Sequence, residues 1–527
     1  MKPSRRTLFA IIGIDPAPHK AAEDFCIRAM PYGVRSIISF CQKNVINYKC
    51  EFSMLEINED DECMEKKLLD RISEFKPDIV AFSVMFNHLC PLVFKLSKAI
   101  KENDIKIFTI AGGIGVSDTY DEFFNYTDSI DAICFSEGEL PVSALLNAED
   151  LYKIAENHKS WLTPLSVKNG KKPAYDLLDN IDEIPPFYDL IDIKNYILKT
   201  ISRKDGREVS MFPVVTTRGC PYNCNFCSAA FRSGKKARAF SAQRVISDIN
   251  TIIGLVDVEM ISFRDDQFLL DKNRAIAILE YIADIGKSVF PEGGINISLM
   301  NEEIAYWFKQ VNVTQVSLPV ESGSERMLKE VIKKPLDLKQ VKPVVELLRK
   351  YDIVTTGNFI CGMPGETPLD RKLTENFIED TGFNNVTFFV ATALKGTRLY
   401  EECVEKGFID NTDIFAKKSF FNGYITAPNI DPDEMTEYAY HLNLKYNFIM
   451  NFDYLNGNYE RAAVFFKRVS ELDPLHAISH YCLANAYNEM GEKELKDKYT
   501  KMYKNIIDND KMWREYAITF NLELNPL

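Results

Sequence analysis

The chain has 527 residues, enough for two to four domains with sizeable cores. Hydrophobic residues make up 46% and charged residues 26%, a balance that excludes a disordered or collagen-like chain. The net charge of −13 does not favour contact with a phosphate backbone, so nucleic-acid binding is not expected. No uncharged apolar stretch reaches the roughly 18 residues that a membrane helix needs. We therefore expect a soluble, cytoplasmic protein with no membrane partner.

The first segment allows two interpretations. Residues 4–9 resemble a twin-arginine export signal, but the apolar run after them ends at Asp15 and no clear cleavage site follows. The alternative is a first β-strand, which we favour because strands and helices alternate in the chain that follows.

Residues 1–150 are predicted to form a doubly wound, Rossmann-like domain with a parallel sheet. Strands are predicted at residues 7–14, 51–57, 79–84, 106–111 and 132–135. Ligands of such sheets bind at the carboxyl ends of the strands. The residues predicted there are Ser83, Gly112, Gly113, Glu137 and Gly138.

A connector at 151–210, with a proline turn near its middle, leads to a second alternating region at 211–425. Strands are predicted there at residues 214–217, 260–264, 295–299, 315–320, 356–361 and 385–392. Six βα units predict a partial (β/α)6 TIM barrel, whose functional loops follow the carboxyl ends of its strands.

The remaining residues, 426–527, are predicted to be helical. Gly457 and Gly491 lie 34 residues apart, which is the period of tetratricopeptide repeats. One and a half repeats are too few for an independent solenoid. The tail is therefore either a helical cap docked on the barrel or a platform for a protein partner.

Three of the twelve cysteines, Cys220, Cys224 and Cys227, lie within eight residues, directly after the first predicted barrel strand. Three thiolates at this spacing can bind three irons of a [4Fe–4S] cluster and leave the fourth iron open. A structural zinc ion would need a fourth ligand, and no His or further Cys lies near enough in sequence. The spacing therefore predicts a cluster that binds a substrate at its open iron.

This segment, with Phe226 before the third cysteine, resembles the signature of the radical S-adenosylmethionine (SAM) family. In that family the open iron binds SAM, and one electron cleaves it to a 5′-deoxyadenosyl radical. Residues 320–324 are similar to the family's "ESG" segment, residues 362–367 to its "GLPGET" loop and residues 394–400 to its "PGTPLY" segment. The resemblance implies that Glu321, Ser322 and Gly362 contribute to SAM binding.

The family's Gly-Gly-Glu segment after the second strand is replaced by Phe-Arg-Asp-Asp-Gln-Phe at residues 263–268. This sequence is similar to a variant found in members with an N-terminal cobalamin-binding domain. The resemblance implies that Asp265 or Asp266 contacts the amino group of SAM. The alternative is that each carboxylate binds the backbone of its own turn.

The order of several segments within residues 31–139 is similar to that of cobalamin-binding domains of this subclass. The Asp-x-His-x-x-Gly motif, whose histidine ligates cobalt, is absent, because Asp15 and His19 are too far apart. Members of the subclass often hold cobalamin without that histidine. Either cobalamin binds near Ser83, Gly112, Gly113 and Gly138, or the domain keeps the fold and has lost the corrin.

The resemblance implies a cobalamin-dependent radical SAM methyltransferase that acts on an unactivated carbon or phosphorus centre of a small-molecule or peptide substrate. It also implies an external one-electron donor such as flavodoxin or ferredoxin. One alternative is a radical SAM enzyme that catalyses a cyclisation, ring contraction or other rearrangement. Another is a cluster-containing assembly protein that binds partners through its helical tail. The loops at 232–238 and 406–429 carry no signature of a particular substrate, and no catalytic residue is predicted.

Overall fold

The computed structural model describes residues 2–13, 30–58, 63–188, 193–201, 206–410, 413–416 and 419–522. The N-terminal part contains a six-stranded sheet with the order β2-β1-β3-β4-β5-β6, in which only β6 is antiparallel to its neighbour. Its strands are β1 Ser4–Gly13, β2 Lys49–Asn58, β3 Ile79–Val84, β4 Phe108–Gly112, β5 Ala132–Cys134 and β6 Trp161–Leu162. All five strands predicted here are present.

Helices cover both faces of this sheet. They are α1 Tyr32–Asn44, α2 Met64–Phe75, α3 Cys90–Asn103, α4 Ile114–Asp118, α5 Glu139–Asn147, α6 Leu151–Asn157 and α7 Pro164–Lys168. Strand residues alternate between the two faces. Leu8 and Ala10 pack in the core with α2 and α3, whereas Phe9 packs with α1 and α5. The prediction of a doubly wound fold is confirmed.

The second region contains six parallel strands arranged in two arcs. One sheet has the order β12-β11-β8-β7, with β7 an antiparallel edge, and the other has the order β13-β14-β15. The strands are β7 Leu198–Ile201, β8 Glu208–Val214, β9 Thr217–Arg218, β10 Arg238–Ala239, β11 Met260–Phe263, β12 Ser288–Pro291, β13 Gln315–Glu321, β14 Val354–Cys361 and β15 Asn385–Val390. A 2.9 Å hydrogen bond from Ile295 N to Ser317 O links the two arcs. The partial barrel is confirmed.

Two strand predictions in the barrel are wrong. The first strand is Glu208–Val214, so it ends where the predicted strand 214–217 begins. The predicted strand 295–299 contains a 3-10 turn at Ile297–Leu299, because the Asn296 side chain accepts a hydrogen bond from Ser298 N and ends the extended conformation. The strand at this position is the earlier Ser288–Pro291.

Helices surround the barrel and form the tail. They are α8 Ala229–Ser233, α9 Ala242–Leu255, α10 Lys272–Asp284, α11 Glu302–Gln310, α12 Val341–Lys350, α13 Pro368–Thr381, α14 Arg398–Glu405, α15 Pro432–Leu444, α16 Phe452–Leu455, α17 Tyr459–Leu472, α18 Ala477–Glu489, α19 Lys493–Asn509 and α20 Lys511–Thr519. The helical tail is confirmed, and its helices share a core around Phe466, Leu483 and Tyr503. The domain boundaries and the tetratricopeptide likeness stay predictions. Among the described residues, no helix is long and apolar enough to cross a membrane.

Candidate functional site

The cysteine loop, residues 217–227, begins after β8 and is held at both sides by backbone hydrogen bonds. Asn225 N donates to Ile332 O at 2.9 Å, and Leu399 N donates to Asn225 O at 3.0 Å. Ile332 ends a π-helical turn, Met327–Ile332, and Leu399 lies in the first turn of α14. The barrel therefore fixes the backbone of the loop between two helical segments.

Asp265 and Asp266 hold the chain that enters this loop. The Asp265 carboxylate accepts hydrogen bonds from Thr216 N, Thr216 Oγ1 and Thr217 N, and Asp266 Oδ2 accepts one from Gly219 N at 2.8 Å. Burial raises the pKa of Asp265 to about 6, although these hydrogen bonds oppose the shift. Both carboxylates thus bind the backbone, but that of the neighbouring strand end and not that of their own turn. Contact of either residue with SAM stays a prediction.

The three cysteines differ in exposure. Cys220 and Cys224 are half-buried, whereas Cys227 is exposed. Burial raises the pKa of the Cys224 thiol to about 11; the neighbouring thiols add to this shift and Lys334 opposes it. The Gln267 amide donates to Cys220 Sγ over 3.4 Å, and hydrogen bonds of this kind stabilise thiolates that bind iron. The loop therefore presents three thiols that lie close enough to interact electrostatically.

Within the described ranges, no three His, Cys, Asp or Glu side chains are arranged around a single metal ion. A four-iron cluster does not require that arrangement, because each of its three protein thiolates binds a different iron. Soft sulfur ligands also suit iron–sulfur clusters better than they suit hard cations. The donor set of the loop fits a cluster and does not fit a closed mononuclear site.

Two of the predicted SAM-binding residues, Glu321 and Ser322, lie at the end of β13, close to the second cysteine. Glu321 is buried and forms a 2.8 Å ion pair with Lys334, and both charges act on the pKa of Cys224. Ser322 Oγ lies 3.2 Å from Thr374 Oγ1 in α13. The structure therefore brings the "ESG"-like segment to the cysteine loop and fixes its orientation through neighbouring side chains.

Gly362 follows β14 at the same end of the barrel, with a φ of +78° that favours glycine. Its N–H donates to Glu366 Oε2 at 2.8 Å. Burial raises the pKa of Glu366 to about 7. Phe226 packs against the main core of the barrel, so its ring supports the cysteine loop.

A cavity of about 320 Å³ lies at the carboxyl end of the N-terminal sheet. Its lining contains all five residues predicted from the sheet: Ser83, Gly112, Gly113, Glu137 and Gly138. Arg218, Arg232 and Phe240 from the barrel side complete the wall. A Cβ at Gly113 would lie 2.4 Å from Val84 O, so this position of the wall requires glycine. The apolar lining fits part of an organic cofactor that enters between the sheet and the barrel.

The Glu137 side chain joins the two halves of this wall. Its carboxylate accepts hydrogen bonds from Arg218 Nη1 at 3.1 Å and Arg238 Nη1 at 3.0 Å. Arg218 also pairs with Glu139 at 2.8 Å. Burial alone would raise the pKa of Glu137, but the two arginines outweigh it and hold the pKa below its usual range. The Glu137 carboxylate, which is predicted to contact a cofactor, therefore forms ion pairs with arginines instead.

Sequence reasoning did not identify Arg218, Arg238, Gln267 or Lys334. Each is a single polar residue whose partner lies 13 or more residues away in sequence, so spacing carries no signal of the contact. Only Arg218 could have been found by a local sequence signal, because it lies two residues before Cys220. Asp15 and His19, which bear on the missing cobalt-ligand motif, lie outside the described residues. The described lining of the cavity contains no histidine.

Comparison with known families matches the two halves of this site separately. The Radical SAM superfamily matches residues 214–378, which include the three cysteines, and the B12 binding domain matches residues 28–146. An uncharacterized methyltransferase of Pyrococcus horikoshii is 34% identical over 340 residues, covering 63% of this chain and 71% of the relative. This chain belongs to the cobalamin-dependent radical SAM methyltransferase family. It is therefore an enzyme, and the cofactors predicted for it, a [4Fe–4S] cluster, SAM and cobalamin, are those of the family.

More distant relatives of this radical SAM enzyme span nearly its full length. Cytidylyl-2-hydroxyethylphosphonate methyltransferase of Streptomyces wedmorensis is 23% identical, covering 85% of this chain and 91% of that protein. The methyltransferase TsrM of Kitasatospora setae has a TM-score of 0.60 at 14% identity, covering 94% of this chain and 99% of TsrM. The cobalamin-dependent enzyme OxsB has a TM-score of 0.61 at 14% identity, covering 98% of this chain and 80% of OxsB. These two structures show the same fold.

Proposed function

We propose that the enzyme transfers a methyl group to an unactivated carbon or phosphorus centre of a small-molecule or peptide substrate. The observation that supports this proposal is that the two cofactor sites share one wall. Arg218 lines the cavity of the N-terminal sheet and lies directly before Gly219, the residue that leads into the cysteines. A methyl donor in the cavity and a radical source at the loop would therefore face the same substrate.

We assign the cluster to Cys220, Cys224 and Cys227. When bound, the cluster and SAM supply a radical that abstracts hydrogen, and cobalamin supplies the methyl group. Glu321, Ser322 and Gly362 would hold SAM, with Thr374 fixing the Ser322 hydroxyl at 3.2 Å. Cobalamin would lie against Ser83, Gly112, Gly113 and Gly138, where the backbone is open.

The remaining residues of the site position these groups. Asp265 and Asp266 fix the entry of the cysteine loop, and Gln267 donates to Cys220 Sγ at 3.4 Å. The arginine pair on Glu137 holds the cavity wall against the barrel. Hydrogen bonds and ion pairs therefore fix the backbone and the side chains around the proposed cofactor sites.

We further propose that the electron comes from an external donor such as flavodoxin or ferredoxin in the cytoplasm. The exposure of Cys227 supports this route, because it leaves one edge of the loop open to solvent while the other two thiols are half-buried. Electron entry at this edge does not require the donor to reach the substrate.

Product analysis tests the proposed function without knowledge of the substrate. Enzyme reconstituted anaerobically with iron, sulfide and hydroxocobalamin is mixed with SAM and a reductant. Methyl transfer through cobalamin predicts S-adenosylhomocysteine, up to about one per bound corrin, together with 5′-deoxyadenosine and methionine. A rearrangement enzyme would form 5′-deoxyadenosine without S-adenosylhomocysteine, and an assembly protein would form neither.

Cysteine variants provide the controls. Cys224→Ala is expected to abolish 5′-deoxyadenosine formation, because it removes a proposed cluster ligand. Cys482→Ala replaces a buried thiol in the core of the tail, remote from the loop. This variant is expected to form 5′-deoxyadenosine as the wild type does. Equal loss in both variants would contradict the assignment of Cys224.

A further inference from the structure

We propose that Gln267 is a positioning residue that raises the reduction potential of the cluster through its hydrogen bond to Cys220 Sγ. Asn296 and Tyr222 fix the orientation of the Gln267 amide. No bond forms or breaks in this role, and the single electron that reduces the cluster comes from the external donor. The inference rests on the proposed function, since it assigns a role to a side chain at the proposed cluster site.

The Gln267 amide reaches one of the three cysteines. Its Nε2 donates to Cys220 Sγ over 3.4 Å. Burial raises the pKa of the Cys220 thiol, whereas the hydrogen bonds from Tyr222 N–H and the Gln267 amide oppose that shift. Among the described residues, no side chain donates a hydrogen bond to the sulfur of Cys224 or Cys227. Gln267 therefore acts on a single proposed ligand of the cluster.

Asn296, which follows β12, determines which end of the Gln267 amide faces the sulfur. Asn296 Nδ2 donates to Tyr222 Oη at 2.8 Å and to Gln267 Oε1 at 3.5 Å. Its own Oδ1 accepts from Ser298 N at 3.1 Å, so the Asn296 amide is itself oriented by the backbone. Because the Gln267 carbonyl faces a donor, its NH2 group is the end that faces Cys220.

The backbone of Gln267 is tied to the chain that enters the cysteine loop. Gln267 N donates to Thr217 Oγ1 at 3.3 Å, and the preceding residue, Asp266, accepts from Gly219 N at 2.8 Å. Both contacts join the segment after β11 to residues directly before Cys220. The position of the amide relative to the sulfur is therefore fixed at the backbone as well as at the side chain.

A donor at this position acts on the reduction potential because reduction adds negative charge to the cluster and its thiolate ligands. Hydrogen bonds to the sulfurs are one of the factors that set the potential of iron–sulfur clusters. A hydrogen bond to a charged acceptor is stronger than one to a neutral acceptor, so the Gln267 amide stabilises the more negative, reduced form most. Without this amide, the cluster is harder to reduce.

The experiment is a redox titration of the full-length enzyme loaded with cluster and cobalamin, in the absence of SAM. Electron paramagnetic resonance measures the fraction of reduced cluster at each applied potential. Gln267→Leu removes the donor and replaces it with an apolar side chain. We expect the ratio of reduced to oxidised cluster at a given potential to fall about tenfold, which is a negative shift of about 59 mV for one electron. An unchanged or more positive potential overturns the proposal.

Two further variants are compared at equal iron content per chain. Gln310→Leu makes the same substitution at the exposed end of α11, shortly before β13 begins and thus remote from the β13 end that carries Glu321. It is expected to keep the wild-type potential, and a shift equal to that of Gln267→Leu overturns the proposal. Tyr222→Phe keeps the Gln267 amide but removes the hydroxyl that accepts from Asn296. It is expected to shift the potential in the same direction by less. This variant decides the outcome if Gln267→Leu does not assemble the cluster, and an unchanged potential then overturns the proposal.

Product analysis in the same preparations separates this inference from the proposed function. S-adenosylhomocysteine and 5′-deoxyadenosine are measured after addition of SAM and a reductant. Formation of both products together with a potential that does not depend on Gln267 overturns this inference alone. A potential that depends on Gln267 in an enzyme that forms no S-adenosylhomocysteine overturns the proposed methyl transfer alone.

Discussion

At the scale of single residues, Gly113 lets the chain after β4 pass close to the backbone of Val84 at the end of β3. Its backbone has φ +100° and ψ 180°, a region that side-chain-bearing residues rarely occupy. We expect Gly113→Ala to destabilise the protein by at least about 3 kcal/mol, from backbone strain and the clash with Val84 O. Thermal unfolding measures this loss. Gly33→Ala is the control, because nothing lies within 4 Å of its Cβ position; an equal loss in both variants would contradict the argument.

Glu366 makes the stability depend on pH. Burial raises its pKa from 4.5 to about 7, so the folded protein binds this proton more tightly than the unfolded chain. Its contribution to stability is full below about pH 4.5 and is lost as the pH rises through about 7. We expect the stability difference between Glu366→Gln and wild type to shift by about 2 kcal/mol in favour of the variant between about pH 5.5 and 8. Chemical denaturation at several pH values measures this difference, and a pH-independent difference would contradict the shift.

At the scale of elements, the tail completes the barrel. β15 is an edge strand, and edge strands leave backbone groups unpaired. The Asn443 side chain binds both N–H and C=O of Phe388, and the Asn447 side chain binds both groups of Val386. The two side-chain amides thus form hydrogen bonds with the backbone of β15 as a neighbouring strand would. This arrangement supports the interpretation of the tail as a docked cap.

Asn447→Leu tests this contact. The substitution keeps the volume of the side chain but leaves the N–H and C=O groups of Val386 buried without partners. We expect a loss of about 2–4 kcal/mol in unfolding free energy, measured by denaturant titration. Asn509→Leu, at the exposed end of α19, is the matched control and is expected to change stability by less than about 0.5 kcal/mol. Equal stability of the two variants would show that β15 does not depend on the cap.

Elements with regular hydrophobic patterns could be predicted, and those set by side-chain capping could not. The strands of the N-terminal sheet have near-continuous apolar runs, which predicted them closely. Residues 295–299 alternate apolar and polar side chains, which also predicts a strand, yet the Asn296 side chain turns the chain there. The amide pairing of β15 depends on residues about 60 positions away, and no local pattern indicates it.

At the scale of the whole molecule, one ion cluster joins the N-terminal sheet to the barrel. Arg218 and Arg238 both bind Glu137, and the three side chains are largely buried. We expect Glu137→Gln to destabilise the protein by about 3 kcal/mol, because two buried cations lose a shared charge. Glu51→Gln, in a half-exposed pair with Arg6, is the control and is expected to change stability little. A similar small effect of both substitutions in thermal unfolding would contradict the role of the cluster.

The cysteine loop could be recognised from the sequence because its three cysteines lie within eight residues and their spacing alone indicates the chemistry. The five cavity residues of the N-terminal sheet could also be placed, because carboxyl ends of parallel strands meet at one edge. The ion pairs of Glu137 could not be predicted from the sequence, because Arg218 and Arg238 lie 81 and 101 residues away from it. Long-range charge pairing is visible only in the folded chain.

We propose that one chain holds a corrin on one side of the shared wall and a cluster on the other. The most direct test is the content of corrin and iron per chain after anaerobic reconstitution with iron, sulfide and hydroxocobalamin, followed by desalting. We predict about one corrin and about four irons per chain. Four irons without corrin would contradict the claim, because methyl transfer through cobalamin would then have no donor in the cavity.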